Sequence, residues 1–244
     1  MIDIHTHIIP SVDDGSKTIF ESMEMIKKAN QKGVKTLVAT PHYTKELYEF
    51  TKKEIEVKVN SLNEALKANG IDTKVLFGQE VMIDENTFKL LEDDIIGSIN
   101  NSRYILIEFE MSQVKVNIEE VIKEFVSKGY VPIIAHPERY KYVQNNVEIV
   151  KYWIKCGALL QMNLGSASGA YGKEVKKTIT KLLKKNLIHL CGSDIHHFRD
   201  VYECIDAHVT AVIKIVKKKK ICDDIFINNS FKVISNEEII PFEY

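Results

Sequence analysis

Seven short runs rich in Val, Ile, Leu and aromatic residues recur along the chain, separated by longer stretches in which apolar residues return every three or four positions. Runs of the first kind predict buried strands, and stretches of the second kind predict amphipathic helices. The predicted strands cover residues 1–5, 36–40, 74–80, 103–108, 131–135, 159–163 and 188–192. The predicted helices cover 17–32, 45–69, 117–128, 147–156, 174–185 and 201–219.

The helix from 117 carries its own punctuation. Asn117 is placed to cap it with Glu120 three residues on, Ile118, Val121, Ile122 and Phe125 form its apolar stripe, and Gly129 ends it. Gly33 and Gly70 play the same part after two other helices, each a few residues before a strand. Continuous apolar strands alternating with helices imply an α/β fold with a parallel sheet covered by helices. Seven repeats within 244 residues suit a closed or nearly closed barrel, with an open doubly wound sheet as the alternative. No linker or composition break divides the chain, so residues 1–244 are read as one domain, with 222–244 packing as an extension.

The strand ends carry the chemistry. The first strand runs into Asp3-Ile4-His5-Thr6-His7, and the two-residue period of a strand puts His5 and His7 on one face. The following strands end at or near His42, Glu80, Glu108 and His136, and the last leads into Asp194 and His196. Asp13 and Asp14 follow the first strand, and only the sixth strand, ending at Asn163, brings no strong ligand. In a barrel these ends converge on one face, where active sites of the architecture sit.

Imidazole and carboxylate without thiolate fit a hydrolytic cluster of manganese, iron or zinc better than a structural zinc site. So many candidate ligands exceed what one ion needs, and two or three ions are expected. Of only three arginines against 30 lysines, Arg139 and Arg199 lie three residues beyond His136 and His196, where a planar guanidinium suits phosphoryl oxygens. His189 and His208 read as structural.

Composition narrows the field. The formal net charge of -1 gives no global attraction to nucleic acid or to an anionic membrane. The lysine run 217–220 reads as the solvated end of a helix. No apolar stretch is long enough to span a bilayer and no signal-peptide pattern opens the chain, so a cytoplasmic location is expected, with four reduced cysteines. The chain lacks a GxSxG elbow, a GxxxxGK[ST] loop and a cysteine followed six positions later by arginine. The segment 165–169 is rich in glycine and serine but matches no dinucleotide fingerprint.

In order and spacing, DIHTHIIPSVDDGS, ATPHY, GQEV, LIEF, AHPERY and GSDIH resemble the polymerase and histidinol phosphatase (PHP) superfamily over nearly the whole chain. DDG and AHPER most resemble its bacterial branch of manganese-dependent protein tyrosine phosphatases of capsule and exopolysaccharide synthesis. That resemblance implies a distorted TIM-like (β/α)7 barrel with three metals. One ion falls to His5, His7, Glu80 and Asp194, a second to Glu80, Glu108 and His136, and a third to Asp14, His42 and His196. Arg139 and Arg199 bind phosphate while a hydroxide bridging the ions attacks phosphorus. Tyr43 and Phe198 are expected to flank the aromatic ring. The implied partner is the phosphotyrosine-bearing tail of a bacterial tyrosine autokinase. A histidinol phosphatase of the same superfamily is the first alternative, and a nuclease is disfavoured by the balanced charge.

Overall fold

A computed structural model describes residues 1–197 and 201–240. Its strands are β1 Ile2–Thr6, β2 Thr36–Ala39, β3 His42–Tyr43, β4 Lys74–Phe77, β5 Glu80–Met82, β6 Tyr104–Glu108, β7 Val131–Ala135, β8 Leu159–Asn163 and β9 Leu190–Gly192. All neighbouring pairs are parallel, in the orders β1-β2-β4 and β3-β5-β6-β7-β8-β9.

The nine segments follow the seven expected strands, the second and third of which each resume after a break and run past their expected ends at residues 40 and 80. β2 breaks into β3 at Thr40-Pro41, where proline has no N–H to give a ladder. β4 breaks into β5 at Gly78-Gln79, where a Cβ on Gly78 would stand 2.9 Å from the Val38 side chain. Hydrogen bonds stitch across the breaks, from Thr40 N to Thr6 O (2.8 Å) and from Glu80 N to Pro41 O (3.0 Å). The sheet then curls onto itself, because Asp194 N donates to His5 O (2.9 Å) and His7 N to Ile195 O (3.0 Å). Below this seam Gly192 lets β9 approach β1; a Cβ there would stand 2.5 Å from that of His5.

Around the barrel lie α1 Ile19–Gln31, α2 Lys52–Ala68, α3 Thr87–Glu92, α4 Ile118–Ser127, α5 Lys141–Asn145, α6 Ile149–Lys155, α7 Lys173–Lys184 and α8 Ile205–Val216. Helix α2 starts seven residues later than expected. Thr51 and Glu54 close a capping box there, while Thr44 and Tyr48 pair in a tight turn with Glu46 at φ 66°. The Asn117 cap of α4 forms as read, its side chain accepting from Glu120 N. The lysine run stands at the solvated end of α8, as read, with all four side chains exposed; Lys217 caps that helix at a left-handed φ of 59°, and α9 restarts over Lys219–Asp223. No helix among the described residues is long and apolar enough to cross a membrane.

Two apolar layers result. The outer one packs Leu37, Val75, Ile105, Ile134 and Leu160 of the strands against helix residues such as Met25, Leu62, Phe125 and Leu182. The inner one fills the barrel with Ile4, Val38, Leu76, Leu106, Ile133 and Leu190. The chain end does more than extend the fold. A π-helical turn Asp224–Asn228 and α10 Asn229–Ile234 bring Val233 and Ile239 into the inner layer. Tyr104 Oη donates to Glu237 O (2.6 Å) and accepts from Ile239 N (3.2 Å), so the amino end of the barrel is plugged. The carboxyl end is left to polar residues.

Candidate metal centre

β1 prepares the site with a register shift. Asp3 faces Leu37 and Thr6 faces Ala39, so β1 spends three steps where β2 spends two. This irregularity lets Ile4 stay in the inner apolar layer while His5, next in sequence, reaches residues of β5, β8 and the β9 end. His7 follows two residues later on the same side.

Both imidazoles are fixed through Nδ1. His5 Nδ1 lies 2.9 Å from Gln161 Oε1, and His7 Nδ1 lies 2.7 Å from Asp13 Oδ2. Amide oxygen and carboxylate accept only, so both Nδ1 atoms are donors, and in the neutral imidazoles that bind a cation both Nε2 atoms present lone pairs inward. Those Nε2 atoms stand 3.2 Å apart, with Glu80 Oε2 at 3.1 and 3.4 Å and Asp194 Oδ1 at 3.4 and 3.3 Å. All four side chains are nearly or fully closed to solvent. Four lone-pair bearers aimed at one buried point repel one another unless positive charge sits among them.

Two further groupings adjoin it. His42 Nδ1 lies 3.2 Å from Glu80 Oε2 and 3.1 Å from Glu108 Oε1, and His136 Nε2 lies 2.9 Å from Glu80 Oε1 and 3.9 Å from Glu108 Oε2. On the outer side, Asp14 Oδ1 lies 3.6 Å from His42 Nε2 and 3.3 Å from His196 Nε2, with His7 in reach of the same point. Glu80 is shared, and its Oε2 and His42 Nδ1 are buried without a hydrogen-bond partner. Donor atoms of three sets, His5-His7-Glu80-Asp194, His42-Glu80-Glu108 and His7-Asp14-His42-His196, each lie within 4.8 Å of one another. The donor chemistry and the orphaned atoms fit divalent cations.

The electrostatics agree. Burial opposes charge on His5, His7 and His42, but Glu80, Asp194, Asp13 and Glu108 beside them outweigh it, and the imidazole pKa values rise, that of His42 to about 9. Burial likewise resists ionisation of Glu80 and Asp194, yet the neighbouring histidines hold both below the usual carboxylate range. The centre is built to keep its acids ionised and to gather positive charge.

All nine candidate ligands, His5, His7, Asp14, His42, Glu80, Glu108, His136, Asp194 and His196, thus converge. Arg139 joins them from the turn Pro137–Arg139, donating Nη1 to Asp194 Oδ2 (2.9 Å) while its guanidinium lies 5.3 Å from the Tyr171 ring centroid. Arg199 and Phe198 lie outside the described residues. Tyr43 does not line the site. It is 5% exposed within the outer apolar layer, because alternation past His42 turns it away from the barrel axis. Tyr48 stands there instead, its ring stacked 6.0 Å from that of His42.

Sequence reading missed the residues that hold the ligands. The sixth strand offers the centre no strong ligand but two orienting residues: Gln161 fixes His5, and Asn163 Nδ2 donates to Asp194 Oδ2 (2.6 Å). Buried Glu138 accepts from Asn163 N (2.8 Å) and Ser166 Oγ (2.6 Å), fixing the segment 163–166. Asp3 accepts from Ser193 N (2.9 Å) and Tyr202 Oη (2.6 Å), fixing the approach to Asp194. Gln161 and Asn163, polar residues two apart at the end of an apolar run, were the available signal. His208, read as structural, bonds Ser168 Oγ (2.7 Å) and ties α8 to the 165–169 segment.

The family model for capsular polysaccharide synthesis, CpsB/CapC, matches residues 1–235. The chain belongs to the CpsB/CapC family. Within it, the tyrosine-protein phosphatase YwqE of Bacillus subtilis is 36% identical over 199 residues, spanning 82% of this chain and 78% of that protein. The tyrosine-protein phosphatase CpsB of Streptococcus pneumoniae is 31% identical over 247 residues, spanning 98% of this chain and all of its own. A solved structure from the pair YwqE and CpsB, described as unique metal-dependent tyrosine phosphatases, superposes with a TM-score of 0.91 at 31% identity, covering both chains completely. The barrel is therefore of the PHP type that these CpsB/CapC proteins share.

Proposed function

We propose that this chain is a metal-dependent phosphatase acting on phosphotyrosine in a polypeptide, the natural substrate being the tail of a bacterial tyrosine kinase of a capsule or exopolysaccharide system. The observation that carries the reading is the set of buried lone pairs around Glu80, with a guanidinium beside it. Membership of the CpsB/CapC family supports the choice of substrate. A cytoplasmic location belongs to the same proposal.

His5, His7, Glu80 and Asp194 would hold one ion. Glu80, Glu108 and His136, with His42 alongside, would hold a second, and Asp14, His42 and His196 a third. Manganese is the proposed metal, since hard carboxylates and imidazoles without a thiolate suit it. When bound, the ions supply Lewis acidity, lowering the pKa of a water and offsetting phosphoryl charge.

The protein's own contribution is orientation. Arg139 is held by Asp194 on one side and the Tyr171 ring on another, leaving the rest of its planar fork for phosphoryl oxygens. Arg199 is proposed as a second such group. Asn163 and Gln161 keep Asp194 and His5 from rotating. A phenolate, with a pKa of about 10, leaves without a strong general acid. Tyr48 beside His42 and Tyr171 beside Arg139 flank the mouth where the ring enters.

The test is to strip the protein of metal, reload it with manganese, and compare phosphate release from a phosphotyrosine peptide and from histidinol phosphate, with a His136→Ala control. Metal-dependent preference for the peptide, lost in the control, is expected. Preference for histidinol phosphate overturns the substrate, and no hydrolysis with any metal overturns the catalytic reading.

A further inference from the structure

A groove of about 680 Å³ lies beside the metal centre. Its inner wall is made of the residues that directly continue the ligand-bearing strands. Thr44 lies two residues beyond His42, Met82 two beyond Glu80, and Phe109 follows Glu108. The inner end of the groove therefore abuts the His42-Glu80-Glu108 grouping.

Its lining and rim have opposite characters. Met82, Phe88, Phe109 and Val121 make an apolar floor, and Val114, 56% exposed on the irregular segment after β6, extends it up one side. The rim carries Asp84, Glu85, Glu110 and Glu124 against one lysine, Lys115, which is paired with Glu110 at 3.3 Å. The whole chain is nearly neutral, so this acidity is local. It is also misplaced for binding a phosphate dianion, which it repels; it suits what is attached to the phosphate.

We propose that this groove binds the polypeptide flanking the phosphotyrosine, taking an apolar side chain on its floor and a lysine or arginine at its acidic rim. The proposal rests on the phosphotyrosine reading of the metal centre. A strand-like peptide advances about 3.3 Å per residue, so neighbours two to four positions from the phosphotyrosine reach the groove while the phosphate stays at the ligands. A cationic side chain gains from several carboxylates at a partly desolvated rim.

The experiment uses three substrates on the manganese-loaded protein. They are a phosphotyrosine peptide with an apolar residue and a lysine among its neighbours, the same peptide with glutamate for the lysine, and 4-nitrophenyl phosphate, too small to reach the groove. The lysine peptide is expected to exceed the glutamate peptide in kcat/KM by about tenfold, a ratio that shrinks with added salt. The double variant Glu85→Lys, Glu124→Lys changes two exposed residues away from the ligands, and is expected to abolish or invert the ratio while 4-nitrophenyl phosphate hydrolysis stays within about twofold. Equal rates for the two peptides in the unaltered protein, or an equal fall on all three substrates in the variant, overturn the proposal. If 4-nitrophenyl phosphate is hydrolysed and neither peptide is, the phosphotyrosine reading itself fails and the groove proposal falls with it.

Discussion

Replacing Asp13 with asparagine tests whether orientation of the ligands, rather than their presence, sets the strength of the centre. Asp13 Oδ2 accepts from His7 Nδ1 (2.7 Å) and from His42 N (3.0 Å), and Oδ1 accepts from Gly15 N (2.9 Å). Three N–H groups on two candidate ligands and the loop between them converge on one carboxylate, which is 6% exposed and whose pKa the His7 contact lowers against the pull of burial. Asparagine has the same shape but one acceptor oxygen. If that oxygen faces Gly15, its NH2 faces His7, which must then turn its lone pair outward through Nδ1 and aim an N–H at the site from Nε2. If the oxygen faces His7, an N–H confronts the Gly15 amide and the charge is still lost.

Either way a charge-assisted bond worth about 1.5 to 3 kcal/mol disappears, a factor of roughly 10 to 150 in metal affinity. Competition against a chelator of known affinity measures the manganese affinity, and the same preparation gives kcat/KM on 4-nitrophenyl phosphate. Folding is checked by thermal melting of the metal-free form. Affinity and kcat/KM within twofold of the unaltered protein would refute the idea that Asp13 sets the tautomer of His7.

Three other outcomes are expected. Arg139→Lys keeps the charge but loses the planar fork and the Tyr171 stack, and should lower kcat/KM for aryl phosphates by about a hundredfold, on the scale of losing one oriented donor; steady-state kinetics at saturating manganese read it. Tyr48→Ala should raise KM for 4-nitrophenyl phosphate by about two- to tenfold with little change in kcat, on the scale of one aromatic contact. His189 is buried, accepts from Leu160 N (3.1 Å), and burial lowers its pKa from 6.5 to about 4. Its stabilising contribution is complete above the unfolded value and lost as pH falls from about 6.5 toward about 4, so His189→Gln should lose about 2 kcal/mol less stability than the unaltered protein between about pH 7 and pH 5, as read by denaturant unfolding.

The sequence by itself determined much of this protein, because its strands are local events. An apolar run ending at or near a histidine or carboxylate reads as a buried strand with a polar tip, and six such tips in one chain point to a metal site. The Asn117 cap is equally local, set by a residue and its near neighbours, whereas the strand break at Gly78 goes with the approach of Val38 from the neighbouring strand. What the tertiary structure alone decided is how those tips are held and what surrounds them. Gln161 and Asp13 become the orienting partners of His5 and His7 only because the barrel brings β8 and the first loop against β1. The 222–240 segment carries no sign in its sequence that it closes the far end of the barrel, and Tyr43 falls into the core while Tyr48 reaches His42 because a tight turn intervenes. Spacing along a chain fixes which residues share a face; distances between faces exist only once the ring of strands has closed.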